Sequence, residues 1–272
     1  GPEPAARGRV SRDMTAELKS TSEGRTMVLT IANPSQRNAL GPEIYAAGIE
    51  ALNGAENSSE IRSVVIVGEG PWFCAGGSLQ RLQANRQRER SVQAESIEGL
   101  HNWIDSIRTF PKPVIAAVEG PAAGAGFSLA LACDFVVAAR DAVFAASYSN
   151  VALSPDGGLS WHLAQMLPRQ LASEWLMNGE RIGAERLHAL GLVNTLSDPG
   201  QALAGALALA AKLNERAPNS LASIKELLSE GRSATLSSQL SQERDHFVRN
   251  LHHANAGIGI AAFLEKKKPQ YE

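Results

Sequence analysis

Lys112-Pro-Val-Ile-Ala-Ala-Val-Glu-Gly-Pro-Ala-Ala-Gly-Ala-Gly126 is the stretch on which the reading of the fold turns. Val114–Val118 is an unbroken apolar run of strand length. Such a strand is buried on both faces, as in a parallel sheet covered by helices. Residues 120–126 are a loop of Gly, Ala and Pro, where main chain can approach a neighbour or a ligand closely. Phe127 to Cys133 then reads as a helix. Strand, small-residue loop and helix in this order describe one turn of an α/β structure.

The same grammar extends in both directions. Downstream, Phe135 to Ala138 is another strand. Upstream, Ser63 to Val67 is a continuous apolar strand, followed by Gly68, Gly70 and the Gly-rich turn Phe73-Cys-Ala-Gly-Gly77. Met27 to Ile31 is a short β-rich run that Asn33-Pro34 ends. Gly41-Pro42 opens a helix with Ile44, Ala47, Ile49 and Leu52 on its inner face. Gln80 to Glu95 is polar and reads as a mobile loop or an exposed helix, and Leu100 to Phe110 is helical in pattern. The alternation predicts an α/β fold with right-handed crossovers. From Trp161 onward the pattern is almost all helix: Ala202 to Leu213, Leu221 to Leu228 and Gln239 to Leu251 form a layer that packs on the core or on another subunit.

Composition narrows the function classes. The 272 residues are 44% hydrophobic, enough for one sizeable core, with 26 basic and 28 acidic residues and a formal net charge of -2. No strong global field points to nucleic acid, and no run is apolar enough to span a bilayer. Cys74 and Cys133 supply no disulfide framework and read as free thiols in a reducing cytoplasm. The histidines lack metal-ligand spacing, so no metal is expected. Gly1 to Asp13 has no apolar segment of signal-peptide type. Gly1-Pro2 reads as a proteolytic scar and Met14 as the native start, so residues 1–13 are set aside as a vector-derived or disordered segment.

Four ordered segments resemble the crotonase (enoyl-CoA hydratase/isomerase) superfamily: Asn33-Pro-Ser-Gln-Arg-Asn-Ala-Leu40, Phe73-Cys-Ala-Gly-Gly-Ser-Leu79, the 112–126 stretch, and Gly179-Glu-Arg-Ile-Gly-Ala-Glu-Arg-Leu-His-Ala-Leu-Gly-Leu-Val193. A Phe263-Leu-Glu-Lys-Lys-Lys-Pro269 tail follows. The resemblance covers about residues 17–272. It implies a spiral of repeated ββα units over residues 14–200 that binds acyl-CoA, a helical trimerisation region over 201–272, and assembly as a homotrimer or a dimer of trimers. It also implies an acyl-CoA thioester substrate, with coenzyme A entering as part of it and no separate cofactor. In the family two backbone N–H groups hold the oxygen of an enolate. Here they are those of Gly77 and Ala125, the latter just ahead of the helix expected from Phe127. One such donor is worth roughly 3–4 kcal/mol in other oxyanion holes. By the same resemblance Asn38, Ala39, Leu40, Ala75, Ser78, Leu79, Phe263 and Lys266 contact the substrate, the last two often from a neighbouring subunit.

The acid–base group is where the chain departs from the hydratases. Their two glutamates fall at Ser128 and Tyr148, so both carboxylates of the water-adding pair are missing and these residues line the acyl pocket instead. Ser154-Pro-Asp-Gly-Gly158 resembles the element that carries the single carboxylate of the family's isomerases, and Ala122–Gly126, Leu129–Asp134 and Gln242–Asp245 resemble its epoxyphenylacetyl-CoA isomerase branch. Asp156 is thus the expected proton shuttle, in a pocket of Val151, Ala152, Leu153 and Trp161 that raises its proton affinity. Asp156 read alone also suits a helix cap or an Asp-Gly turn. Gly77-Ser78 lacks the Asp that commonly follows the glycine turn, which leaves the substrate open. The alternatives are a hydratase, a non-catalytic acyl-CoA binder, and a serine hydrolase using Ser128 with His162 and Asp134 or Asp156.

Overall fold

The structure, a computed structural model, describes residues 16–272; the segment 1–13 and Met14 lie outside it. A six-stranded sheet runs in the order β1 (Glu17–Glu23), β2 (Thr26–Ala32), β3 (Ser63–Gly68), β4 (Val114–Val118), β6 (Phe135–Ala139), β9 (Thr195–Ser197). Only the β1–β2 hairpin is antiparallel; every later pair is parallel. A second sheet holds β5 (Pro121–Ala123), β7 (Val143–Ala145) and β8 (Arg181–Gly183). An isolated parallel bridge from Cys74 to Ala122 prolongs it. The chain passes from β4 to β5 and from β6 to β7, each time from the large sheet to the small one and then into a helix. This is the expected crotonase spiral of ββα units.

The continuous apolar strands do what their composition requires. Alternate residues of β3 face opposite ways. Val64 and Ile66 join Leu29, Ile31, Val114 and Ala116 in a core covered by α1 (Pro42–Glu56), α3 (Arg90–Thr109) and α4 (Ala125–Ala132). Val65 and Val67 join Val28, Ile115, Ala117 and Val137 on the other side, against α8 (Ala202–Asn214). Ala202, Ala206 and Ala210, four residues apart, form the α8 face that meets the sheet. Methyl groups on that face let the helix axis come close to the strands.

The structure corrects several local expectations. The helix read from Phe127 starts two residues earlier, at Ala125. The helix read over Leu100–Phe110 begins at Arg90, and the polar run before it also contains a short helix, α2 (Leu79–Asn85). The inner face of α1 is Ile44, Tyr45, Gly48, Leu52 and Ala55, with Ala47 and Ile49 only half-buried. The all-helical reading after Trp161 holds for α5 (Leu159–Met166), α6 (Arg169–Asn178) and α7 (Ala184–Ala189), but β8 and β9 interrupt it. Three-residue strands carry too few residues for a period to register.

Helices α9 (Pro218–Gly231), α10 (Leu236–Leu251) and α11 (Ala254–Glu265) complete the chain. Lys225 fastens α9 to the core: its ammonium donates to Asp134 Oδ2 at 2.8 Å and to the Ile107 carbonyl at 2.9 Å. Asp134 Oδ2 in turn accepts the Val114 N–H at 2.9 Å. Among the described residues no helix is long and apolar enough to cross a membrane.

Candidate active site

Three loops meet at the ends of β2, β3 and β4, stitched by main-chain hydrogen bonds. Leu40 N–H donates to the Gly76 carbonyl at 2.7 Å, and Ala75 N–H to that of Arg37 at 3.0 Å. Cys74 N–H donates to Pro121 O at 3.2 Å, and Ala123 N–H to Cys74 O at 2.9 Å. Glycine is required where they touch. A Cβ on Gly126 would stand 2.4 Å from the Cys74 carbonyl oxygen, and one on Gly76 would stand 2.9 Å from that of Ala123 and 3.5 Å from Ala125 N. Gly76 and Gly124 also have φ of +96° and +55°, in the region that disfavours side chains.

This packing sets the Gly76–Gly77 turn directly against the first residue of α4. The first N–H groups of a helix have no intrahelical acceptor and carry the positive end of its dipole. Among the described residues neither Gly77 N–H nor Ala125 N–H donates a main-chain hydrogen bond. Two unsatisfied donors on adjoining loops suit an anionic oxygen. Cys74, fully buried beside them, is not a competing nucleophile: burial pushes its thiol up to about 12.

Asp156 comes to the same corner by a longer route. After β7 the chain forms a short 3-10 turn at Ser149–Val151, passes Ala152 at φ +62°, and doubles back through Gly157 and Gly158, both at positive φ. Its side chain meets Tyr148, whose hydroxyl donates to Asp156 Oδ1 at 2.6 Å. Ser128, on α4, donates from Oγ to the Asp156 main-chain oxygen at 2.9 Å and lies 3.2 Å from the Tyr148 hydroxyl. On the other side Gly157 N–H donates to His101 Nε2, on α3, at 2.9 Å. A Cβ on Gly124 would lie 3.9 Å from Tyr148 Cζ. The phenol therefore packs against the oxyanion loop while it holds the carboxylate.

Two expectations about Asp156 change. Val151, Leu153 and Trp161 are about half exposed and Ala152 is exposed, so they do not enclose it; Ser128, Tyr148 and the His101-bound turn surround it instead. Nor does Asp156 cap α5, whose N-cap is Gly158 with no side-chain bond. The serine-hydrolase arrangement is not formed. Ser128 Oγ is bonded to Asp156 O and faces Tyr148 and Gly124 O. His162 is buried in α5, and burial first, then Arg108 and Arg232, pull it down to about 4.

The remaining expected contacts divide. Asn38, Ala39 and Leu40 are buried at the loop junction, and the amide of Asn38 is wholly engaged. It donates to the carbonyls of Glu69 and Trp72 at 2.9 and 2.8 Å and accepts the Asn33 N–H at 3.0 Å. Asn38 thus shapes the loop. Ala75 is half-buried beside the glycine turn, Ser78 caps α2 by accepting the Arg81 N–H, and Leu79 is exposed next to it. Phe263 and Lys266 stand exposed at the end of α11, at the far end of the C-terminal helices rather than among the groups just described. Two neighbours escaped the sequence reading: His101, and Tyr45 on α1, whose phenol is pushed up by burial and then by the charge of Asp156. A helical aromatic and an exposed histidine carry no signal for this in the sequence.

The chain is similar to known proteins over nearly its whole length. The family profile of the enoyl-CoA hydratase/isomerase family matches residues 21–272. The 1,2-epoxyphenylacetyl-CoA isomerase of Escherichia coli (strain K12) is 33% identical over 261 residues, 93% of this chain and 97% of its own. The 2,3-dehydroadipyl-CoA hydratase of the same organism is 32% identical over 257 residues, 94% and 99% of the two chains. A crystal structure of an enoyl-CoA hydratase from Polaromonas sp. JS666 superposes with a TM-score of 0.94 at 73% identity, covering 94% of this chain and all of the other. The chain belongs to the enoyl-CoA hydratase/isomerase family, and its fold is that of the family's solved members.

Proposed function

We propose that this protein isomerises an unsaturated or strained acyl-CoA thioester, with Asp156 as its one acid–base group. Asp156 takes a proton from a carbon of the acyl chain, and the electron pair left behind delocalises onto the thioester oxygen. The N–H groups of Gly77 and Ala125 hold that oxygen as its charge develops. Protonated Asp156 then returns the proton to a different carbon, so the product is an isomer and nothing else is consumed. Coenzyme A enters as part of the substrate. The observation that carries the reading is the seat of Asp156: its carboxylate lies 2.6 Å from a phenol packed on the oxyanion loop, whereas Ser128 and Tyr148 supply no second carboxylate.

The exposed apolar side chains of α9–α11 support assembly as a trimer or a dimer of trimers, with Phe263 and Lys266 offered to a neighbouring subunit's substrate. The test of function is a mass-spectrometric panel of 2-enoyl-, 3-enoyl- and epoxyphenylacetyl-CoA. Positional isomerisation is expected, with Asp156→Asn lowering turnover by about a thousandfold or more while acyl-CoA affinity is kept. Near wild-type turnover in that variant removes Asp156 from the role. The similarity to the enoyl-CoA hydratase of Polaromonas sp. JS666, at 73% identity, favours a second reading, hydration. Formation of 3-hydroxyacyl-CoA from crotonyl-CoA is its distinguishing product. High acyl-CoA affinity with no turnover across the panel marks a binder.

A further inference from the structure

We infer that Tyr148 and Ser128 are positioning residues for Asp156, an all-hydroxyl brace that occupies one carboxylate oxygen and leaves the other as the single proton acceptor facing the acyl chain. The inference rests on the assignment of Asp156 as the acid–base group.

Proton counting fixes the direction of the brace. Each hydroxyl has one proton to donate. The 2.6 Å contact from Tyr148 to Asp156 Oδ1 is short, as expected of O–H donating to an ionised carboxylate. It therefore takes the Tyr148 proton. Ser128 has its best acceptor in the Asp156 main-chain oxygen at 2.9 Å, ahead of Tyr148 Oη at 3.2 Å and Gly124 O at 3.3 Å. One residue is thus held at its side chain by Tyr148 and at its main chain by Ser128. A Cβ on Gly157 would lie 2.7 Å from Ser128 Cβ, so the backbone turn is seated on α4 with no slack.

The phenol is suited to remain a donor. Burial, then the neighbouring charge of Asp156, push Tyr148 well above the usual phenol range, so it stays protonated at any working pH. The titratable groups facing Asp156 are Tyr148 from its own loop, Tyr45 from α1 and His101 from α3, the last bonded to the adjoining Gly157 N–H. The brace therefore aims the base, with Tyr148 on its side chain and Ser128 on its main chain.

Tyr148→Phe, which keeps the ring against Gly124, is the deciding variant, with 3-enoyl-CoA as the probe. The expected result is a 10- to 100-fold fall in kcat with KM within about twofold, in line with loss of a hydrogen bond to a charged group. Ser128→Ala, which leaves the phenol in place, should lower kcat by about threefold and serves if Tyr148→Phe does not fold. The side-chain 13C chemical shift of Asp156, compared at one pH in wild type and both variants, reads loss of the hydrogen bond without turnover. A folded Tyr148→Phe enzyme with kcat within twofold and an unchanged Asp156 13C chemical shift overturns the brace, even when Asp156→Asn is inactive. Should Asp156→Asn itself retain full turnover, the acid–base assignment falls and the brace with it.

Discussion

The spiral core and the last three helices treat their apolar residues in opposite ways. In the core β3 and β4 are buried from end to end, apart from a partly exposed Gly68, and Trp103, Phe73, Phe127 and Phe144 are fully enclosed. In α9–α11 Leu228, Phe247, Phe263 and Leu264 are 70% or more exposed. Fully burying a side chain of this size is worth roughly 1.5–3 kcal/mol. The core encloses its apolar side chains, and the tail leaves them exposed. A polar tie joins the two: Lys225 donates to Asp134 and two core carbonyls.

The contrast can be broken first in the core. Trp103 lies against Gly48, where a Cβ would come within 2.3 Å of its indole, so no neighbour is free to fill a void there. Trp103→Ala should cost about 3–5 kcal/mol in a urea unfolding midpoint. A loss under 1 kcal/mol would mean the core is far more plastic than its packing implies.

The next effect is a pH dependence. His162 is at about 4 in the fold against 6.5 for a free histidine, so it is neutral in both states above 6.5. As pH falls from 6.5 through 4 the unfolded chain takes the proton first, and stability is lost. The gap corresponds to about 3 kcal/mol. His162→Gln should flatten the stability profile in that window relative to wild type; parallel profiles would show that His162 is hydrated.

The smallest effect on the protomer is expected in the tail. Phe263→Ser should change the unfolding free energy of the isolated chain by no more than about 0.5 kcal/mol, the range of ordinary surface substitutions. Sedimentation should nonetheless show a lower assembly state than wild type at micromolar concentration. An unchanged mass would place the subunit contact elsewhere.

The spiral was readable because its strands are apolar throughout and its turns are marked by glycine. Both features reflect local requirements, two-sided burial and close backbone approach. The boundaries shifted where local signals compete. Ala125 and Gly126 read as loop, yet the orphan amides of a helix start need such residues, so the helix begins at the residue expected to bind. The surroundings of Asp156 were misread for a related reason. Val151, Leu153 and Trp161 are near it in sequence, but the left-handed turns at Ala152, Gly157 and Gly158 carry the chain away from them.

From residue order alone followed the α/β architecture and the two glycine-lined loops; the resemblance to the family pointed to Asp156 as the carboxylate. Burial periodicity and backbone reach are written into nearest neighbours, so a linear reading recovers them. The partnership of Asp156 with Tyr148, Ser128 and His101 could not be recovered that way. It joins a loop to two helices through three hydrogen bonds spanning 8, 28 and 56 residues, and only the folded chain brings those groups within bonding distance.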